Sequence, residues 1–260
     1  MTLLTKKGIA IIAALVALCT GFQAQAQGVS PVRVCSLPLP PQTMPDADGN
    51  PSGYAVEILQ ALALQLEWDI EISYNIWARV VQLSKDGQCD VVLTVLKRDD
   101  YESYMVFPER PILNQRNVLA TLKNRDIRYH GNLEDFMRSH VVGLYNDKAI
   151  DDNFENLRRA PWARVDVVNT PTQNIMKLLA GRIDAAIDND LTIIHELQQL
   201  GRLDEVEILE PAVNVTPAYI TFPMAGGLHD SAEQFDQALE AFEATPEYLR
   251  IQDFYLRGTH

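Results

Sequence analysis

A chain of 260 residues with a formal charge of −13 has room for one large domain or two small ones. Its acidity repels nucleic acid and anionic lipid surfaces, so neither is expected as a partner. A hydrophobic content of 47% is that of a globular body with a core, and no low-complexity tract or block of like charge marks disorder.

At the N-terminus Lys6 and Lys7 precede an uncharged, mostly apolar run over 8–22, followed by Ala24-Gln25-Ala26. A basic start, a short apolar core and small residues at −3 and −1 are the marks of a secretory leader, and the run is too short to span a bilayer. Cys19 does not make a lipoprotein anchor, because Leu18 precedes it where a small residue is expected. The expectation is export, cleavage near Ala26 and a soluble mature chain without membrane insertion. Two cysteines then remain, Cys35 and Cys89. In an oxidising compartment an even pair is a candidate disulfide. Two buried thiols are the alternative that spacing alone leaves open.

Along the mature chain strand-like and helix-like segments alternate. A strand over 32–36 leads into a Pro-rich loop to residue 52. Ala55, Ile58, Leu59, Leu62 and Leu66 fall at helical spacing within 54–66. Strands over 70–74 and 90–95 bracket a helix over 78–85. After Pro111 the cycle restarts, with strands over 118–123, 141–145, 165–168 and 185–187. Helices over 151–158, 172–180 and 192–200 alternate with them, and two more follow over 230–242 and 246–256. Such alternation predicts a parallel α/β architecture, and its repetition predicts two lobes. The connectors 111–117 and 210–217 become crossings between them. Lobe one is then discontinuous, 27–117 plus 213–260, and lobe two is 118–212, with a hinged cleft between.

Specific residues carry a resemblance over nearly the whole mature chain. They are Asp48-Gly49 with Gly53-Tyr54, then Trp77, Leu83 and Gly87-Gln88-Cys89-Asp90, and Phe107-Pro108 with Pro111. Val142-Gly143, Gly181-Arg182-Ile183-Asp184 and 217–222 complete the set. Each piece is short, but the ordered set resembles the extracellular solute-binding proteins of family 3, which serve polar amino-acid importers. The cysteines, with their neighbours, are also similar to those of relatives associated with quinoprotein dehydrogenases. The resemblance implies a type II periplasmic-binding-protein fold and a periplasmic location. It further implies a monomer that closes on a small ligand for an ABC permease or a periplasmic receptor.

The resemblance also implies a clamp, and this chain departs from it. Amino-acid-binding members place an arginine six residues before the phenylalanine corresponding to Phe107, where bidentate pairing holds the ligand carboxylate. Tyr101 stands there, with Arg98 three residues earlier. The aspartate that holds the ligand ammonium corresponds to Asn189, beside Asp188. Lys148 stands near a position usually given to a hydroxyl. A cleft so altered is not expected to serve an ordinary α-amino acid. Candidate ligand contacts are Trp77, Thr94, Arg98, Tyr101, Lys148, Asp188 and Asn189, while Asp90 and Asp184 read as structural turn residues.

No nucleotide-binding loop, nucleophile elbow or zinc-helix motif is present, and the five histidines are scattered. No cofactor, metal or enzymatic activity is expected. Two alternatives remain. One is an accessory or sensor protein of the same fold. The other is an enzyme resembling cyclohexadienyl dehydratases, against which the absence of a cation at Tyr101 counts.

Overall fold

The computed structural model of the chain describes residues 30–145 and 150–257; the expected leader lies outside them. Strand β1 (Val32–Ser36) is followed by a loop holding a small hairpin, β2 (Met44–Pro45) with β3 (Pro51–Ser52). Helix α1 (Tyr54–Gln65) starts at Gly53, whose φ is 117°. A Cβ there would meet the carbonyl oxygens of Pro41 and Gln42 at 2.7 and 2.6 Å, so the entry to the helix requires glycine. Its buried side includes Tyr54, Ile58, Leu59 and Leu62, the stripe that the helical spacing predicts. Next come β4 (Ile70–Tyr74), α2 (Trp77–Lys85), β5 (Val91–Leu96), the short α3 (Asp99–Glu102) and β6 (Met105–Val106). Both β4 and β5 pair in parallel with β1, which the helical crossovers make possible.

The second run of elements is β7 (Leu113–Leu122), α4 (Leu133–Ser139), β8 (Val142–Tyr145), α5 (Asp152–Leu157), β9 (Val165–Val168), α6 (Pro171–Leu179), β10 (Ala185–Asn189) and α7 (Asp190–Gln199). The long β11 (Val206–Pro223), α8 (Ala232–Glu243), α9 (Pro246–Gln252) and a C-terminal turn Asp253–Arg257 complete the chain. The nine-stranded sheet has the order β4-β1-β5-β11-β7-β10-β8-β9, with β6 on the side of β11. Two parallel arrays, β4-β1-β5 and β10-β8-β9, are joined through the antiparallel pair β7–β11.

The segments expected as connectors, 111–117 and 210–217, are therefore largely strand. Asn114, Gln115, Arg116 and Asn117 pair with Pro217, Thr216, Val215 and Asn214. Register shifts between Leu209 and Asn214, so β11 carries a bulge where it passes from one array to the other.

Side chains alternate across the sheet into four clusters. On the β4-β1-β5 array, Val91 and Leu93 face a core shared with α1, α8 and α9. Val92 and Val95 face a smaller one with Val80, Leu83 and Met105. On the other array Leu119 and Ile187 face Phe136 and Phe154 of α4 and α5, while Val118 and Ala186 face Ile175, Ile193 and Leu197 of α6 and α7.

One device appears in both arrays. Asp90, ahead of β5, accepts the Arg33 guanidinium at 2.8 and 2.9 Å, the Arg33 N–H at 2.9 Å and the Gly227 N–H at 2.8 Å. Asp184, ahead of β10, accepts Arg125 at 2.7 Å and the Val141 N–H at 2.8 Å. Both aspartates tie the start of a neighbouring strand to a turn, which is the structural role expected for them. Burial pushes the Asp90 carboxyl up, but Arg33 and the two N–H groups outweigh it and hold it below the ordinary carboxylate value. Such a group stabilises above its unfolded-state pKa, and the contribution is lost as pH falls through the lowered value. The stability gap between wild type and Asp90→Asn is therefore expected to be widest above about pH 5 and to close towards pH 2. Urea titrations across that range check this, and a gap that does not change with pH refutes it.

Cys35 and Cys89 form a disulfide with Cα atoms 5.8 Å apart and a sequence separation of 54. Cross-linking a loop of that length is expected to contribute about 4 kcal/mol. A Cys35→Ser/Cys89→Ser double variant should lose that much in urea unfolding, as should wild type under reductant. Coinciding midpoints for the reduced and non-reduced protein would exclude the bridge.

Candidate functional site

The expected contacts fall into two groups on different arrays. Trp77 opens α2 and donates its indole N–H to the Tyr101 hydroxyl at 2.9 Å, with the two rings edge to face at 5.6 Å. Tyr104 continues the aromatic row at 6.1 Å from Tyr101. These rings cover the cluster that contains both disulfide cysteines. Tyr101, at the position the resemblance gives to a clamping arginine, is thus engaged with Trp77. Arg98 does not take its place. Its side chain is 64% exposed, pairs with Asp100 at 3.1 Å and lies over the Tyr101 ring at 5.3 Å.

Thr94 sits in the middle of β5 with φ 56°, a left-handed conformation that is rare for a β-branched residue. The pairing of β5 with β11 shifts register between Tyr219 and Thr221, opposite this point. The consequence is visible in the packing: Leu93 and Val95 face different clusters, although residues two apart on a regular strand share a face. The Thr94 hydroxyl is buried without a hydrogen-bond partner.

Asp188 and Asn189 end β10 and are both 2% exposed. The Asp188 carboxylate accepts the Asn189 N–H at 2.6 Å, and the Asn189 side-chain oxygen Oδ1 caps α7 by accepting the Leu191 N–H at 3.1 Å. Asn189 lies opposite Asn117, which lies opposite Asn214, so three asparagines form a row across β10, β7 and β11. Asn117 donates to Asn214 at 2.8 Å, and Asn214 donates to the Asp151 carboxylate at 2.9 Å and the Ile150 carbonyl at 3.1 Å. The remaining atoms of the row, Asn117 Oδ1 and Asn189 Nδ2, are buried without partners. Nothing in the sequence reading pointed to Asn117 or Asn214. Lys148 lies outside the described residues.

A cavity of about 540 Å³ lies beside β7, whose Leu113, Asn114 and Arg116 line it. Ile112, Leu113 and Leu191 form its apolar floor, and Arg110, Arg116 and Asp190 stand among its polar walls. Arg116 pairs with Asp190 at 3.2 Å and also with Glu210. Burial pushes the Asp190 carboxyl above its ordinary value, outweighing the Leu191 N–H and Arg116. Sequence reasoning missed this arginine–acid pair, whose members are 74 positions apart. Among the described residues no group of three His, Cys, Asp or Glu is placed to hold a metal ion, and no helix is long and apolar enough to cross a membrane.

The two parallel arrays joined by an antiparallel crossing pair define the type II periplasmic-binding-protein fold. Solved structures agree with that assignment. The L-cystine solute receptor of Neisseria gonorrhoeae, in its unliganded open form, matches with a TM-score of 0.70 and 20% identity, over 87% of this chain and 92% of that one. Substrate-binding domain 2 of Lactococcus lactis GlnP matches with a TM-score of 0.70 and 17% identity, over 88% and 96%. A histidine kinase sensor domain similar to periplasmic binding proteins matches with a TM-score of 0.61 and 20% identity, over 87% and 96%. The L-cystine-binding protein TcyA of Bacillus subtilis (strain 168) is 22% identical over 201 residues, 77% of this chain and 71% of its own. The family described as bacterial extracellular solute-binding proteins, family 3, matches residues 32–258. This chain belongs to that family.

Replacing Thr94 by glycine relieves the left-handed strain and removes an unsatisfied hydroxyl. Both gains exceed the entropy that glycine costs. Thr94→Gly is expected to raise stability by about 1 kcal/mol, seen as a higher urea midpoint. A lower midpoint would mean that Thr94 packing outweighs its strain.

Proposed function

We propose that the protein is exported, loses its leader near Ala26 and works in the periplasm as a monomeric, non-catalytic solute-binding protein. It captures a small polar ligand between two lobes, 27–117 plus 213–260 and 118–212, and delivers it to an ABC importer. Membership of family 3 carries this reading. Closure on β7 and β11 as hinge strands would let contacts from both lobes favour the closed state. Trp77 and Tyr101 supply one wall, with Thr94 and Arg98 near it; Asp188 and Asn189 supply the other, and Lys148 is a further candidate contact.

The ligand is unlike an ordinary α-amino acid. Tyr101 cannot provide the fixed charge and bidentate fork of an arginine, and Arg98 is held by Asp100 at 3.1 Å. Asn189 brings an amide donor in place of a carboxylate, so it would not offset the desolvation of an ammonium. The names of the cystine-binding relatives make cystine the first compound to test, and the altered clamp predicts that it binds weakly or not at all.

The test is a melting-temperature screen of the purified protein against cystine, the common amino acids and a broad set of polar metabolites. A ligand that binds only the folded state raises the midpoint by mass action, and closure should reduce the radius of gyration in solution scattering. A ligand outside the α-amino acids that does both supports the reading. Silence across the set from well-folded protein removes it. The second reading, a sensor or accessory role, is favoured by the match to the histidine kinase sensor domain. A stable periplasmic partner recovered by cross-linking and purification, with no importer requirement for uptake, would establish that role instead.

A further inference from the structure

We propose that the first turn of α7 is a clasp between the two arrays, a third connection beside the strands β7 and β11, and that it limits how far the arrays move relative to each other. The clasp follows from the fold alone; its bearing on the width of the cleft rests on the solute-binding reading. Asn189 ends β10 opposite Asn117 of β7, and its side chain caps α7, so the helix starts at the crossing. Two residues on, Leu191 is 2% exposed and belongs to the core of the β4-β1-β5 array, with Tyr54, Ala55, Ile251 and Tyr255. Ile193 and Leu197 of the same helix belong to the core of the β10-β8-β9 array. One helix therefore buries its first turn in one array and its later turns in the other.

Neighbouring groups of the first array close around that turn. The Thr192 hydroxyl donates to the Pro40 carbonyl, in the loop after β1, at 3.5 Å, the outer limit of such a bond. The C-terminal turn Asp253–Arg257 packs against α7. That turn is itself fixed to α1, where Tyr255 donates to the Glu57 carboxylate at 2.6 Å and its ring meets Tyr54 edge to face at 5.8 Å. The paired strands β7 and β11 form a ribbon that can bend and twist, and a buried contact away from the ribbon restricts those freedoms. The contact made by Leu191 is apolar and non-directional. The cavity of about 540 Å³ that Leu191 helps to line leaves space beside it. Leu191 can thus shift in its socket without breaking a directional bond, which lets the arrays turn but resists their separation.

The experiment measures the distance between spin labels attached at Leu64→Cys in α1 and Met176→Cys in α6, positions 84% and 57% exposed. It uses the purified protein with its Cys35–Cys89 disulfide intact. Leu191→Ala opens the socket and is expected to widen the distance distribution. Leu191→Met, of similar volume, should keep the distribution of the labelled parent. Leu197→Ala, the same truncation within the core of the second array, should lower the urea midpoint without widening the distribution. Leu191→Val removes less of the side chain and keeps the test available should Leu191→Ala not fold, with a smaller widening expected. An unchanged distribution in the folded Leu191 variant overturns the proposal. So does equal widening in Leu197→Ala, which would mean general loosening rather than a clasp. A ligand screen that stays silent removes the solute-binding reading and leaves this result standing, whereas failure here leaves that screen untouched.

Discussion

The antiparallel pair β7–β11 is the constraint on which the rest of the molecule depends. Both parallel arrays hang on it: β5 pairs with the C-terminal part of β11, and β10 pairs with β7. Parallel strands need crossovers and buried faces to be stable, and each array packs its own helices into a pair of clusters, with Leu191 of α7 reaching from the second array into the core of the first. The two arrays share little backbone pairing apart from these strands. The backbone pairing that joins the arrays runs through residues 113–118 and 206–218. The bulge between Leu209 and Asn214 and the asparagine row fall within this stretch, so the most irregular pairing in the sheet coincides with its only continuous bridge among the described residues.

Much of this was legible in the sequence. The strands Val32–Ser36, Ile70–Tyr74 and Val165–Val168 end where the hydropathy pattern ends them, and Ile70–Tyr74 also alternates cleanly in burial. The crossing strands were not legible. Asn114, Gln115, Arg116 and Asn117 are poor strand formers, and Pro211 and Pro217 interrupt the partner, so local propensity reads both as loop. What makes them strand is each other, across about a hundred residues, and non-local pairing leaves no local signal. Helix α4 (Leu133–Ser139) was missed. Its Asn132 cap, which accepts from Asp135, was the one available sign.

The site divides in the same way. Tyr101 and Asn189 follow from counting along the motifs, at the positions the resemblance gives to a clamp. Their engagements were not. No one-dimensional pattern indicates that Trp77 bonds to Tyr101, that Thr94 adopts a left-handed backbone inside a strand, or that Arg116 finds Asp190. Each of these depends on a register or a bulge fixed elsewhere. The residues that best describe the crossing, Asn117 and Asn214, looked like ordinary connector residues until the strands were placed side by side.

The position of the disulfide has a consequence for how the chain responds to its surroundings. Cys35 and Cys89 lie within the β4-β1-β5 array, and the covalent tie spans neither β7 nor β11. A change in redox conditions would loosen one end of the molecule and leave the bridge between the arrays mechanically as it was. An oxidising environment can therefore toughen this protein against unfolding without adding any covalent tie across the strands that join the two arrays.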